Sequence, residues 1–575
     1  MKRLALLSIV LAMLVGVFIV TAPSLVSIEV VRRSITYEIA GWGGKALTFE
    51  GTPTVAFRPY LTVGFPKARI VSIQTGDTLV TTEMLSAQIP LLPLIFQGRI
   101  EPSAFDLRAP VFHFVTDAEG RPNWTLPYAL DATTRVQRLS LTDGTIHYAN
   151  AAGRSVEIDH VDALLKWPDP SGPASLSGKA TWQGKPGTFS ITIGSLLDFF
   201  EQRLTTLQLA VDAEPVRATF NGQVQQLDRP TASGDIAIQT PALHELANLF
   251  GLYLPDHAAF GAASLQGAVS LARGIATLPD AKLSIDGSDG EGGLSFDFTS
   301  ARPSAQATLA FDDLDIAPFA ELAMDALTAA RALGERVLDF SALGQVDLDV
   351  RLSADRLLYG GDAIGRVAGS AALRAGRLDV ALADMRLFDA RVSASFSLDT
   401  GGPASEAAIR AQFDALSLKS LPTTLLPFLG TRGTAAGMFA LTTGGDRWDA
   451  LMNNLAGSGE LTLSGGTLNG IDASALAKAW TDKTATDALS GKTDFTQASI
   501  GFSLGRDTLS IETGQLQGQG YTADFNGSAD FARPAFDMHG SIDFDAGRFT
   551  PAKSVPFILR GDADSLDIAP GQPTP

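Results

Sequence analysis

Leu461-Thr-Leu463-Ser-Gly-Gly466-Thr-Leu468 decides the fold class of this chain. The same order of apolar, any, apolar, any, any, Gly, any, apolar recurs at Leu139-Ser-Leu141-Thr-Asp-Gly144-Thr-Ile146 and at Leu509-Ser-Ile511-Glu-Thr-Gly514-Gln-Leu516. Successive side chains of a strand point to opposite faces. In each copy the apolar positions change parity across the Gly, so one straight strand cannot keep them together and a bulge or a turn must intervene. Asp143-Gly144, Gly465-Gly466 and Thr513-Gly514 fit two-residue hairpin loops. Such loops set Leu141 opposite Ile146, Leu463 opposite Leu468 and Ile511 opposite Leu516. The expectation is therefore three hairpins with apolar pairs on one shared face.

Outward from these units, alternation continues in Arg377-Leu-Asp-Val-Ala-Leu, Val392-Ser-Ala-Ser-Phe-Ser-Leu398 and Tyr521-Thr-Ala-Asp-Phe-Asn-Gly-Ser-Ala-Asp-Phe531. One side of each is apolar and the other is rich in Ser, Thr, Asp and Gln, which suits an antiparallel sheet wet on one face. Helical spacing is confined to Pro241–Tyr253, Ile316–Phe340 and Asp472–Trp480. Loop-like composition near Pro168–Pro173, Asp286–Gly293 and Leu421–Pro427 marks candidate boundaries. Residues 570–575 read as a frayed tail.

The chain has 575 residues, 45% of them apolar, so it can bury a large core and is not wholesale disordered. Its 44 Lys and Arg against 62 Asp and Glu give a net charge of −18, which argues against nucleic acid as a partner. Abundant Gly (56) without any Cys suits a turn-rich β protein lacking disulfides and thiol chemistry. At the N-terminus, Lys2-Arg3 precedes a nearly unbroken apolar run from Leu4 to Val20, in which Leu4, Leu7, Leu11, Leu14 and Phe18 are representative. The run exceeds the roughly 7–15 residues of a signal-peptide core. It reads as an uncleaved transmembrane anchor over residues 1–22, with the short tail cytoplasmic and the remainder exported.

Motifs for chemistry are missing. The six histidines are scattered, and His244-Glu245-Leu-Ala-Asn248 has Asn where a zinc helix needs its second His. His113 and His147 fall in expected strands, where a plain face position outweighs catalysis. The Asp286–Gly293 stretch lacks calcium-loop spacing and reads as a solvated turn. There is no phosphate-binding loop, dinucleotide fingerprint or nucleophile elbow, so no cofactor, metal or catalytic residue is expected.

Four blocks resemble the AsmA family of Gram-negative envelope proteins. They are the anchor followed by residues 55–70; residues 91–124, with Phe105-Asp-Leu-Arg-Ala-Pro-Val-Phe-His-Phe and Asp117-Ala-Glu-Gly-Arg-Pro-Asn-Trp124; residues 136–148; and residues 430–544. The resemblance is thinnest between 173 and 420. It implies an inner-membrane, single-pass protein whose bulk is periplasmic, mainly β, built on a long, curled, open antiparallel sheet with an apolar groove and a few helices. The corresponding organisation is an AsmA-like N-terminal region over 23–250, a middle β region over 251–425, an AsmA-like C-terminal region over 426–560 and a tail over 561–575.

For function, the resemblance implies outer-membrane biogenesis through phospholipid transport between the membranes, without catalysis. An open sheet with a continuous apolar face must cover that face or offer it to acyl chains. The groove candidates are Leu461, Leu463, Leu468, Leu509, Ile511, Leu516 and Phe525, with Thr462, Thr467 and Ser510 facing away. The alternative is a scaffold that regulates outer-membrane protein assembly and targeting through its sheet edges, with assembly components as partners. An exported hydrolase and an autotransported adhesin are both disfavoured.

Overall fold

The computed structural model describes residues 33, 45–57, 60–72, 76–90, 102–116, 123, 137–149, 155–169, 171–227, 229–249, 254–299, 302–420, 430, 432–482, 491–505, 508–530, 535–545, 554–561 and 566–570. The expected anchor lies outside them. Among the described residues no helix is long and apolar enough to cross a membrane. The protein is mainly β, and its strands fall into two compact units, residues 1–246 with 262–278 and residues 247–261 with 279–575.

In the first unit Lys45–Thr48 (β1) and Thr54–Phe57 (β2) pair antiparallel with Leu61–Ser72 (β3), and β3 pairs with Thr78–Ile89 (β4). Ala104–Arg108 (β5) and Val111–Val115 (β6) are each antiparallel to β4 and parallel to Arg138–Ala149 (β7). They are one strand broken at Ala109-Pro110, where Ala109 has φ 46° and Pro110 has no N–H to give the ladder. An antiparallel meander follows through Ser155–Lys166 (β8), Ala174–Trp182 (β9), Lys185–Ile193 (β10), Thr205–Ala213 (β11), Val216–Gln225 (β12), Thr231–Thr240 (β13) and Ala263–Ala272 (β14). Leu196–Phe200 (α1) is a helix of this unit, and the division between units falls inside the helix Leu243–Leu249 (α2). Leu61, Val63, Phe65, Ala87 and Ile89 are fully buried, so the core of this unit lies where β3 meets β4.

The chain passes between units after residue 246, returns after residue 261, and passes again within Ile275–Ile285 (β15). In the second unit Ser288–Asp297 (β16) is antiparallel to Ser304–Asp315 (β17), which runs parallel to Asp347–Tyr359 (β18). Antiparallel pairing then continues through Asp362–Arg374 (β19), Arg377–Leu387 (β20), Ala390–Asp399 (β21), Glu406–Ser417 (β22), Thr434–Gly444 (β23), Ala456–Asn469 (β24), Lys492–Gly505 (β25), Thr508–Gly518 (β26), Tyr521–Asp530 (β27), Ala535–Phe544 (β28), Ser554–Gly561 (β29) and Leu566–Pro570 (β30). Ala317–Leu333 (α3), Trp448–Asn453 (α4) and Ala473–Asp482 (α5) sit in the connections after β17, β23 and β24.

The pairing is thus mixed, where a purely antiparallel sheet was expected. A parallel pair needs a crossover longer than a hairpin turn. Residues 116–137 supply one before β7, and the α3 segment supplies the other before β18. The Asp286–Gly293 stretch is also corrected: only Asp286-Gly287 turns, while residues 288–293 belong to β16. Glycine is needed there for close approach, since a Cβ at Gly292 would lie 1.9 Å from the Thr308 carbonyl oxygen on β17.

The three repeat units are not hairpins. Each lies inside a single strand, β7, β24 or β26, and the parity change is absorbed without chain reversal. A type I′ turn needs both central residues left-handed. In the first copy only Asp143 qualifies, at φ 54°; in the second, Gly465 is at 68° but Gly466 at 157°; in the third, neither Thr513 nor Gly514 has positive φ. In β26 the residues Glu512 and Thr513 together oppose the single Asn526, a bulge by register. Gly466 also admits the Phe495 ring, whose Cζ would lie 2.3 Å from an added Cβ. Because Phe495 is itself buried, Gly466→Ala is expected to destabilise the protein by about 1–3 kcal/mol, read from the urea midpoint.

The β7 irregularity is pinned by side chains. Asp162 Oδ1 accepts the Asp143 N–H, and His160 Nδ1 lies 2.8 Å from Asp143 Oδ1. That hydrogen bond, followed by attraction to the same carboxylate, raises the His160 pKa above its ordinary 6.5. The contribution to stability is present below 6.5 and is lost as pH rises through the raised folded-state value. Both side chains are exposed, so a small effect is expected. NMR titration should find the raised pKa in the parent and a lower one in Asp143→Asn, where only the weaker attractions of Asp159 and Asp162 remain.

Candidate functional site

Register in the second unit builds one apolar face strand by strand. Leu461 lies opposite Gly437 and Ile500, and Leu463 opposite Ala435 and Ala498. Leu516 pairs with Ala498 and Ala523, Ile511 with Phe502 and Gly527, and Leu509 with Leu504 and Ala529. Phe525 stands opposite Gly514, whose missing Cβ leaves room for its ring. Leu468 joins this side through the irregularity at Gly465, packing on the same buried cluster as Leu463. The seven sequence-predicted positions therefore share a face. Thr467 points away, its Oγ1 donating to Asp494 Oδ1, and alternation sends Thr462 and Ser510 the same way.

The seven are not equivalent. Helix α5 begins where Asp472 Oδ1 accepts the Ser474 and Ala475 N–H groups, and it inserts Leu476, fully buried, onto the face. Beneath it Leu463, Phe495, Ala498, Leu516, Ile542, Phe544 and Val555 form a buried core, with Leu461, Leu468 and Phe525 packed against it. Leu509 and Ile511 lie outside this core and are half-buried. A second sealed cluster, Phe311, Ala354, Leu357 and Val367, occupies the same face at β17 to β19.

Between the clusters the face is open. Leu378 and Val380 of β20 continue into Leu398, Phe396, Ala394 and Val392 of β21, then Ala407, Ile409 and Ala411 of β22 and Leu441 and Phe439 of β23, while Leu382 and Phe413 pack against the two clusters that flank this stretch. None of these is fully buried. Phe396 and Ile409 are directly opposed in register and remain 36% and 39% exposed. Neither was among the positions singled out from sequence, although Phe396 lies in a strand recognised by alternation. The signal was the alternation itself, which carries equal weight in every strand.

The opposite face carries the charge. Arg377 pairs with Asp379 and Asp399, Arg374 with Asp349, and Arg366 with Asp384. The hydrogen bonds that Arg377 donates to Asp379, with the attraction of that carboxylate, raise the Arg377 pKa. These are exposed pairs that add little stability but keep this side wet. Open depressions of about 690 and 970 Å³ lie mainly on this face, the first bordered by Ser393, Ser395, Arg410, Gln412, Met438 and Glu460. Among the described residues no group of three or more His, Asp or Glu side chains is arranged to hold a metal. In the first unit, Glu245 of the zinc-helix-like stretch is ion-paired to Lys185, which holds its carboxyl below the usual range. His113 and His147 stack across β6 and β7 with ring centroids 5.6 Å apart.

A model of the AsmA family matches residues 280–517, which run from β15 to β26 and include the open part of the apolar face. The match covers much of the stretch where the motif resemblance was thinnest. No curated protein matches the chain.

Proposed function

Because residues 280–517 are an AsmA-family region, we propose that this protein is a non-enzymatic carrier of phospholipid in the cell envelope, holding acyl chains on the apolar face of its second unit. The observation that carries the reading is the uncovered stretch at Phe396 and Ile409 within a face continuous from β16 to β29. Exposed contiguous apolar surface of this kind marks a binding site. Charged side chains sit on the other face, so an acyl chain lying here meets none of them while its head group stays in water. Each methylene covered contributes about 0.8 kcal/mol, so affinity needs no chemistry.

In this reading the apolar run from Leu4 to Val20 anchors the chain in the inner membrane and the β units stand in the periplasm, serving outer-membrane biogenesis. A reporter active only in the periplasm, fused after Pro575, should be active while the protein stays in the membrane fraction. A soluble form starting near Pro23 would contradict the anchor. Lipid extraction from the purified, detergent-exchanged protein should return phospholipid in a fixed molar ratio. Protein free of lipid would count against the carrier and favour a scaffold acting through strand edges.

A further inference from the structure

Helix α3 is the most exposed apolar element of the second unit. Only Glu321, Asp325, Thr328 and Arg331 are polar in it, spaced to share one side, while Phe319, Leu322, Ala326, Ala330 and Leu333 share the other. A helix with such an arc normally buries it. Here no residue of α3 is buried: on this arc Phe319 and Leu333 are 39% and 38% exposed, and Ala326 at its centre is exposed too.

Its two ends are tied to the apolar side of the sheet. Before the helix, Ile316 packs on the Phe311, Ala354, Leu357 and Val367 cluster, and its N–H donates to Leu358 O. After it, the Leu338 N–H donates to Asp446 O and Val337 bridges to Arg447, next to α4. Helix α4 rests on the same side, because Thr443, whose hydroxyl donates to Leu451 O, is two residues from Leu441 on β23 and shares its face. On its polar flank Asp325 lies 3.9 Å from His257 Nε2. The helix thus runs from β17 to β23 on the side where Phe396 and Ile409 are left open.

The geometry points to α3 as the second wall of the lipid site, with acyl chains held between its apolar arc and the open face of β20 to β23. This rests on the carrier reading above. From Phe319 to Leu333 the arc is about 21 Å long, enough for the roughly 15 Å that chains occupy in one leaflet of a 30 Å hydrocarbon core. The arc offers no charge, donor or acceptor, whereas protein partners are met with about one hydrogen bond per 100–200 Å². A membrane surface is disfavoured because the polar side carries two carboxylates against one guanidinium, the wrong sign for anionic lipid.

A photo-crosslinking residue placed singly at Ala326, Thr328 or Ile409 of the full-length protein in cells tests this. Phospholipid adducts are expected at Ala326 and Ile409, several-fold above Thr328. Adducts at Ile409 without any at Ala326 would overturn the second wall and leave the sheet as carrier; adducts at neither would overturn both readings. A protein adduct at Ala326 in place of lipid would assign α3 to a partner and also overturn the proposal. Independently, Ala326→Asp should lower the phospholipid retained on purification at least five-fold with little change in melting temperature, since the side chain is exposed. Unchanged lipid content in that variant would contradict the proposal.

Discussion

Leu463→Asp is expected to unfold the α5 end of the second unit. The side chain is 3% exposed beneath Leu476, beside Phe495, Ala498 and Leu516. A carboxylate there has no cation within the cluster, and it forfeits leucine packing as well. The cost is on the order of 4 kcal/mol, a large part of a domain's total stability. The check is a urea titration followed by circular dichroism, with hydrogen exchange read at the amides of α5. A variant whose midpoint matches the parent would show that this end of the face is not sealed.

Ile409→Asp is expected to do the opposite, leaving the fold nearly intact while removing lipid. At 39% exposure the new carboxylate stays hydrated, and substitutions at such sites usually change stability by no more than about 0.5 kcal/mol. If the charge keeps even two methylenes of an acyl chain uncovered, about 1.6 kcal/mol of binding is lost. That is roughly a fifteen-fold fall in affinity. Phospholipid per mole of purified protein measures it. A folded Ile409→Asp variant with undiminished lipid would place the cargo elsewhere.

The contrast between Leu463 and Ile409 shows what alternation can and cannot reveal. Two-residue periodicity gave the β class and the common face of Leu461 with Leu463 and of Leu509 with Ile511, because side-chain direction follows from strand geometry alone. Leu468 and Leu516 joined them for a different reason than expected: the parity change at Gly465 is made within β24 and that at Glu512-Thr513 within β26, not by turns. Telling these apart requires the φ of Gly466, which depends on room for the Phe495 ring 29 residues away in sequence. The helices at 243–249, 317–333 and 473–482 were legible from their spacing. That α5 caps the face while α3 stands exposed was not, since both sequences are amphipathic and only tertiary contacts distinguish them. Parallel pairing of β17 with β18 was hidden likewise, because residues 316–346 read equally well as an excursion before an antiparallel neighbour.

If the apolar face between β20 and β23 carries phospholipid, site-specific photo-crosslinking must distinguish Ile409 from its chain neighbour Arg410, which alternation puts on the opposite face. Mass spectrometry of the irradiated protein should find phospholipid adducts at Ile409 well in excess of those at Arg410. Equal yields at the two positions, or none at Ile409 in a folded protein, would contradict the account.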